Sequence, residues 1–275
     1  RLAKLVALIL VILLVSLVAV GCAPEKEGKE ELFGTLNLAG STTVLPLAQA
    51  VAEEFMKEHP KVRVNVQGGG SSAGIEAVSR RVVDIGNSSR DLRPEERNLG
   101  LVDHQIAIDA VTIIVHPSNP ITNLTKDQVK KIFTGQITNW KDVGGNDESI
   151  QVVNRDEASG TRECFYEIAL GKTNFTKNVI IQPGSGEMIA TVSKLPNAIG
   201  YVSLGYITDA VKTVNYDGIE PNEENARCGK YTLQRRLHMF TKGRAKGLAK
   251  TFIDYILSSE IQERIVSEKF IPIME

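Results

Sequence analysis

Four short loops of this chain combine glycine with hydroxyl-bearing residues: Gly40-Ser41-Thr42-Thr43, 68–72 (Gly-Gly-Gly-Ser-Ser), Gly86-Asn87-Ser88-Ser89-Arg90 and 155–161, which runs from Arg155 through Ser159 and Gly160 to Thr161. Each follows a β-branched run, and three clearly precede a helical pattern. A strand-to-helix turn of this composition points O–H and N–H donors outward from the positive end of a helix. That is anion-binding chemistry. Arg155 adds a permanently charged, planar donor fork, and Glu157 is placed to hold it. Taken alone, the fourth loop also reads as a helix cap, with Ser159 capping and Arg155 in a surface ion pair. Four such loops in one chain favour convergence on one small oxyanion.

The elements that carry these loops are alternating strands and helices. Residues 34–39 read as a strand, and a helix follows over 45–59 with Leu47, Val51 and Phe55 on one face. Pro60 stops it, Val62, Val64 and Val66 alternate as a second strand, a helix opens at Ser71, and 82–86 is a third strand. This β-α-β-α-β order predicts a parallel sheet with ligand chemistry at the carboxyl ends of its strands. A second α/β cycle starts near 111–115, with a helix around 127–133, a strand at 150–153 feeding Arg155, helices over 160–170 and 186–195, and a strand at 198–202. The segment 221–229 reads as a surface loop, 236–240 as a strand, and two helices end the chain. The expected architecture is α/β with two lobes, 34–110 plus 238–275 and 111–237, joined by two crossover strands near 109–111 and 237–240.

Other chemistries fit less well. Gly70-x-Ser72-x-Gly74 matches a nucleophile elbow, with Ser72 as the nucleophile of a serine hydrolase, but none of His59, His104, His116 and His238 has an evident catalytic context. Gly68-x-Gly70-x-x-Ala73 fits a loose dinucleotide fingerprint with no second signature beside it. Neither histidines, cysteines nor carboxylates show metal-ligand spacing, so no metal or cofactor is expected. A net charge of −1 gives no footprint for nucleic acid.

The N-terminus has a composition of its own. Arg1 and Lys4 precede an apolar run from Leu5 to Val20, broken at Ser16 and ending in Ala19-Val20-Gly21-Cys22. This resembles a signal peptide with a lipoprotein processing site, so residues 1–22 are expected to direct export and Cys22 to carry a lipid anchor. Residues 23–33 then read as a polar tether. An uncleaved apolar anchor is the alternative, and both place the domain outside the cytoplasm. There a disulfide between Cys164 and Cys228 is permitted, with two free thiols as the other reading.

In order along the chain, Gly-Ser-Thr-Thr-x-x-Pro at 40–46, Gln-Gly-Gly-Gly-Ser-Ser-Ala-Gly at 67–74, Asp-Ile-Gly-Asn-Ser-Ser-Arg at 84–90 and Arg-x-x-x-Ser-Gly-Thr at 155–161 resemble the phosphate-binding proteins of the high-affinity phosphate ABC importer. Ile132-Phe133-x-Gly135 with Trp140, and 198–202, add to the likeness, which runs from about Gly34 to the C-terminus. The resemblance implies a type II periplasmic-binding-protein fold, a monomer without enzymatic activity, and permease subunits as partners. It implies phosphate contacts from Ser41, Thr42, Thr43, Ser71, Ser89, Arg155, Ser159, Gly160 and Thr161. In one place the chain departs from the pattern. Well-known members carry, in the third loop, an Asp that accepts the phosphate proton, and Ser89 occupies that slot. Strict rejection of sulfate or arsenate is therefore not built in, and a carrier of another oxyanion, sulfate, molybdate or tungstate, is the alternative.

Overall fold

The computed structural model describes residues 32–273, so the apolar N-terminal run, Cys22 and most of the tether lie outside the described residues. Residues 33–275 form one compact unit. Strand β1 (Gly34–Gly40) leads to helix α1 (Leu45–Glu58), β2 (Val62–Gln67), α2 (Ser71–Ser79) and β3 (Ile85–Ser88). Strand β4 (Leu101–Val115) follows, then β5 (Asn123–Leu124), α3 (Lys126–Phe133), β6 (Gln151–Arg155) and α4 (Gly160–Ile168). After β7 (Val179–Gln182) come α5 (Ser185–Val192), β8 (Ala198–Ser203), β9 (Lys212–Tyr216), α6 (Glu223–Arg227), β10 (Gln234–Lys242), α7 (Gly247–Ile256) and α8 (Ser259–Arg264).

The sheet order is β2-β1-β3-β10-β4-β8-β6-β7, with β9 on β4 and β5 on β9. Strands β1, β2 and β3 are parallel, as are β6, β7 and β8. Between these groups run β10 and β4, antiparallel to each other. β4 changes partner at one peptide: Ala110 pairs with Gln234 of β10, and Val111 with Ser203 of β8. Its first ten residues thus belong to one half-sheet and its last five to the other.

Each half has its own apolar packing. In the first, Leu47, Val51 and Phe55 of α1 are buried as their spacing requires, and Phe252 of α7 meets Phe55 edge-on at 5.3 Å. In the second, Phe165 of α4 stacks on Tyr201 of β8 at 4.2 Å with Phe133 beside them, and the Trp140 indole N–H donates to the Asn197 carbonyl at 3.0 Å. Large aromatic faces give this half much of its buried area.

Several element limits depart from the sequence expectations. β3 starts at Ile85, not Val82, because Arg81 takes a left-handed φ of 59° and turns the chain there. The segment at 221–229 contains α6, capped by Asn222, whose side chain accepts from Asn225 N–H. β4 begins ten residues earlier than its β-branched core.

Candidate anion-binding site

The four Ser/Thr/Gly loops meet. In the first half-sheet they are stitched by backbone bonds: Ser41 N–H donates to Asn87 O at 2.8 Å, and Gly70 N–H to Gly40 O at 2.9 Å. Gly40 is required for this approach, because its φ is +137° and a Cβ there would lie 2.1 Å from Asn87 O. Ser89 N–H donates to Ser71 Oγ at 3.0 Å, and the two hydroxyl oxygens are 3.3 Å apart.

The loop after β6 closes on this group from the other half-sheet. Thr43 Oγ1 and Thr161 Oγ1 are 3.1 Å apart, and Ser72 N–H donates to Ala158 O at 3.1 Å. Gly160, the first residue of α4, faces Ser71 and Ser89: a Cβ there would sit 2.5 Å from Ser71 Oγ and 2.8 Å from Ser89 Oγ. The starts of α2 and α4, each with backbone N–H groups free of intrahelical partners, are thereby brought together.

Arg155 is 2% exposed. Its Nε donates to Gln182 O at 3.1 Å and its Nη2 to Pro183 O at 2.9 Å and Thr42 Oγ1 at 3.2 Å, with Ser185 Oγ at 3.4 Å from Nη1. Among the described residues no carboxylate forms an ion pair with it. Burial pulls its pKa below the usual arginine value, opposed by Tyr201 and Asp156, and a guanidinium remains charged regardless. Glu157, expected to hold this side chain, is exposed, so that expectation is corrected: neutral carbonyls and hydroxyls hold Arg155.

Several of the clustered hydroxyls already accept a bond from a fixed donor, whereas among the described residues Ser89 Oγ and Thr161 Oγ1 meet only another hydroxyl, that of Ser71 and of Thr43. Ser41 Oγ accepts from Thr43 and Val44 N–H, Ser71 Oγ from Ser89 N–H, Thr42 Oγ1 from Arg155 and Ser159 Oγ from Arg162 N–H. Thr43 Oγ1 accepts from Arg235 Nη2 at 3.1 Å. A hydroxyl has one proton, so accepting from a group that can only donate leaves that proton to be given away. The arrangement is a cluster of outward donors around a buried cation.

Ser159 caps α4 by accepting from Arg162 N–H, as the capping reading expects, but Arg155 is buried and makes no surface ion pair among the described residues, so that half of the reading is corrected. Ser72 Oγ accepts from Arg90 Nη2 at 3.1 Å, while the histidines have partners elsewhere: His59 packs at a tilt against Phe55, and His104 bonds with Thr241, His116 with Ser118 and His238 with Asp103. The nucleophile-elbow reading therefore lacks a base beside Ser72. Cys164 is buried and Cys228 exposed, both as free thiols, which corrects the disulfide expectation; burial pushes the Cys164 thiol up to about 11. Among the described residues no group of His, Cys, Asp and Glu is placed to hold a metal, and no helix is long and apolar enough to cross a membrane.

Sequence reasoning passed over three neighbours of the cluster. Ser185 begins α5 after Pro183-Gly184, a fifth loop of the same type that follows β7, and its hydroxyl lies 3.4 Å from Thr42 Oγ1. Tyr206 donates its hydroxyl proton to Thr42 O. Arg235 reaches Thr43 from β10. Only the Gly-Ser composition of the fifth loop was a readable signal.

Residues 26–260 match the PBP superfamily domain. The chain is 40% identical to the phosphate-binding protein PstS of Bacillus subtilis (strain 168) over 90% of this chain and 84% of that protein. A structure from Clostridium perfringens, provisionally assigned as a phosphate ABC transporter substrate-binding protein and solved with phosphate bound, has a TM-score of 0.85 at 40% identity, covering 88% of this chain and all (100%) of that one. An ABC-type phosphate transport receptor from Vibrio cholerae has a TM-score of 0.73 at 33% identity, covering 87% of this chain and 100% of its own. These likenesses agree with the parallel half-sheets and their loop cluster, and the chain belongs to the PBP superfamily and, within it, to the PstS phosphate-binding proteins.

Proposed function

We propose that this protein binds inorganic phosphate outside the cytoplasm and delivers it to a membrane ABC importer. The observation that carries this reading is Arg155, a buried guanidinium with no carboxylate partner among the described residues, beside Thr42, Thr43 and Ser71 hydroxyls that accept from fixed donors and keep a proton to give. The protein neither makes nor breaks bonds in this role. The names of the 40%-identical relative and of the phosphate-bound structure support phosphate as the ligand.

In this reading Ser41, Thr42, Thr43, Ser71 and Ser89 donate from one side and Arg155, Ser159, Gly160 and Thr161 from the other. The two half-sheets act as lobes, the first 34–110 plus 238–275 and the second 111–237, and close about the ion on β4 and β10. Each charge-assisted bond contributes roughly 1.5–3 kcal/mol, so about eight of them reach micromolar affinity after the costs of closure and desolvation. The basic-apolar N-terminus supports export, and Cys22 supports a lipid anchor that keeps the monomer near its permease.

A second reading, a carrier of a fully deprotonated oxyanion such as sulfate, draws on Ser89 in the slot of the usual Asp. A carboxylate there repels an ion that offers only lone pairs, whereas a hydroxyl donates to it. Calorimetric titration with phosphate, arsenate, sulfate, molybdate and tungstate separates the readings. Phosphate is expected to bind tightest, and Ser89→Asp to widen its margin over sulfate by about tenfold. Tighter binding of sulfate than phosphate would replace the first reading by the second.

A further inference from the structure

Arg235 and Asp109 face each other as direct cross-strand partners on β10 and β4, one residue from the peptide where β4 passes between half-sheets. Both are buried, at 8% and 1% exposure. Arg235 Nε and Nη2 donate to Asp109 Oδ2 at 2.9 and 2.7 Å, and Ser203 donates to Asp109 Oδ1 at 2.6 Å. Asp109 does not saturate the guanidinium. Its Nη2 also reaches Thr43 Oγ1, and its buried Nη1 has no partner among the described residues.

We propose that Arg235, clamped by Asp109 at the crossover, is a positioning residue for the bound anion, acting through Thr43 and Thr161. The inference rests on the oxyanion-binding reading above. A guanidinium cannot accept a hydrogen bond, so the direction of the chain is fixed at its origin. Arg235 donates to Thr43, leaving the Thr43 proton to go either to the anion or to Thr161 Oγ1, 3.1 Å away. In the second case the Thr161 proton goes to the anion. Either way a second buried positive charge polarises a donor aimed at the ligand. The same contact ties the ligand loop after β1 to the strands on which closure turns, so filling of the site and geometry of the crossover depend on one side chain.

A double-mutant cycle on phosphate affinity tests this, using calorimetry on wild type, Arg235→Gln, Thr43→Val and the double variant. Arg235→Gln is expected to weaken phosphate by about tenfold, and the double variant to bind within about twofold of Thr43→Val alone, since the effect of Arg235 passes through that hydroxyl. Arg235→Lys, which keeps a charge and a donor, should retain more affinity than Arg235→Gln. Independent, multiplying losses in the cycle would assign Arg235 a purely structural role and overturn the inference, as would an Arg235→Gln protein of unchanged affinity. If Arg235→Gln fails to fold because Asp109 is left unpaired, Arg235→Met with Asp109→Asn removes both charges and leaves Ser203 an acceptor. The same tenfold loss is expected of that variant, and wild-type affinity would overturn the inference equally. Wild type that takes no phosphate would remove the phosphate reading itself, and this inference with it.

Discussion

Arg155 and Arg90 are both buried, at 2% and 5% exposure, and their neutralisation is opposite. Arg155 is surrounded by the carbonyls of Gln182 and Pro183 and the hydroxyls of Thr42 and Ser185. Arg90 donates to both carboxylate oxygens of Glu96, at 2.6 and 2.8 Å, and its Nε lies 3.0 Å from a Glu163 oxygen. Arg93 adds a two-pronged contact to the same Glu163, so this cluster links the segment after β3 to α4. A guanidinium among carboxylates is a fastening, its charge already met. One among neutral dipoles keeps its charge for a partner that arrives later, and desolvation makes that partner worth more.

Removing the unmet charge should have the largest effect. Arg155→Ala is expected to weaken phosphate by at least about a thousandfold in calorimetry while circular dichroism shows the fold retained. Survival of binding would mean that Arg155 is another fastening. Gly160→Ala comes next, because its Cβ would crowd Ser71 and Ser89; a loss of about tenfold to a hundredfold is expected, with Tm lowered by a few degrees. Unchanged affinity there would show that the loops bind the ion from further apart. Glu163→Gln attacks the fastened side of the comparison. Its side chain is partly exposed at 20%, so about a fivefold loss is expected. A loss as deep as that of Arg155→Ala would erase the distinction between the two arginines. Smallest is Glu157→Ala, expected to leave affinity within about twofold because Glu157 is exposed and Arg155 is held without it.

What the sequence disclosed was local chemistry. Thr42, Ser71, Ser89 and Ser159 stand out because strand, glycine, hydroxyl and helix start occur within a few residues of one another. The burial of Leu47, Val51 and Phe55 follows from helical spacing in the same way. What escaped depended on partners far along the chain. Arg235 meets Asp109 126 residues away, and neither position carries a pattern that announces the other. The first ten residues of β4 contain Asp103, His104, Gln105 and Asp109, and are made a strand by β10, which follows more than a hundred positions later. Glu157 misled for the complementary reason: it is close to Arg155 in sequence, but Gln182 and Pro183 occupy the guanidinium first. Cys164 and Cys228 belong to the same class, since pairing needs a distance that spacing does not contain.

The insertion of β10 between β3 and β4 has a consequence for how the chain is assembled. Strands β1 to β3 can pair as the first third of the protein is made, but β3 and β4 have no contact in the sheet until residues 234–242 arrive between them. Pairing across so long a loop makes folding slow, with the first half-sheet waiting on the last strand described. A chain cut before Gln234 would expose two unpaired edges at once, on β3 and β4, and should aggregate instead of yielding a stable half.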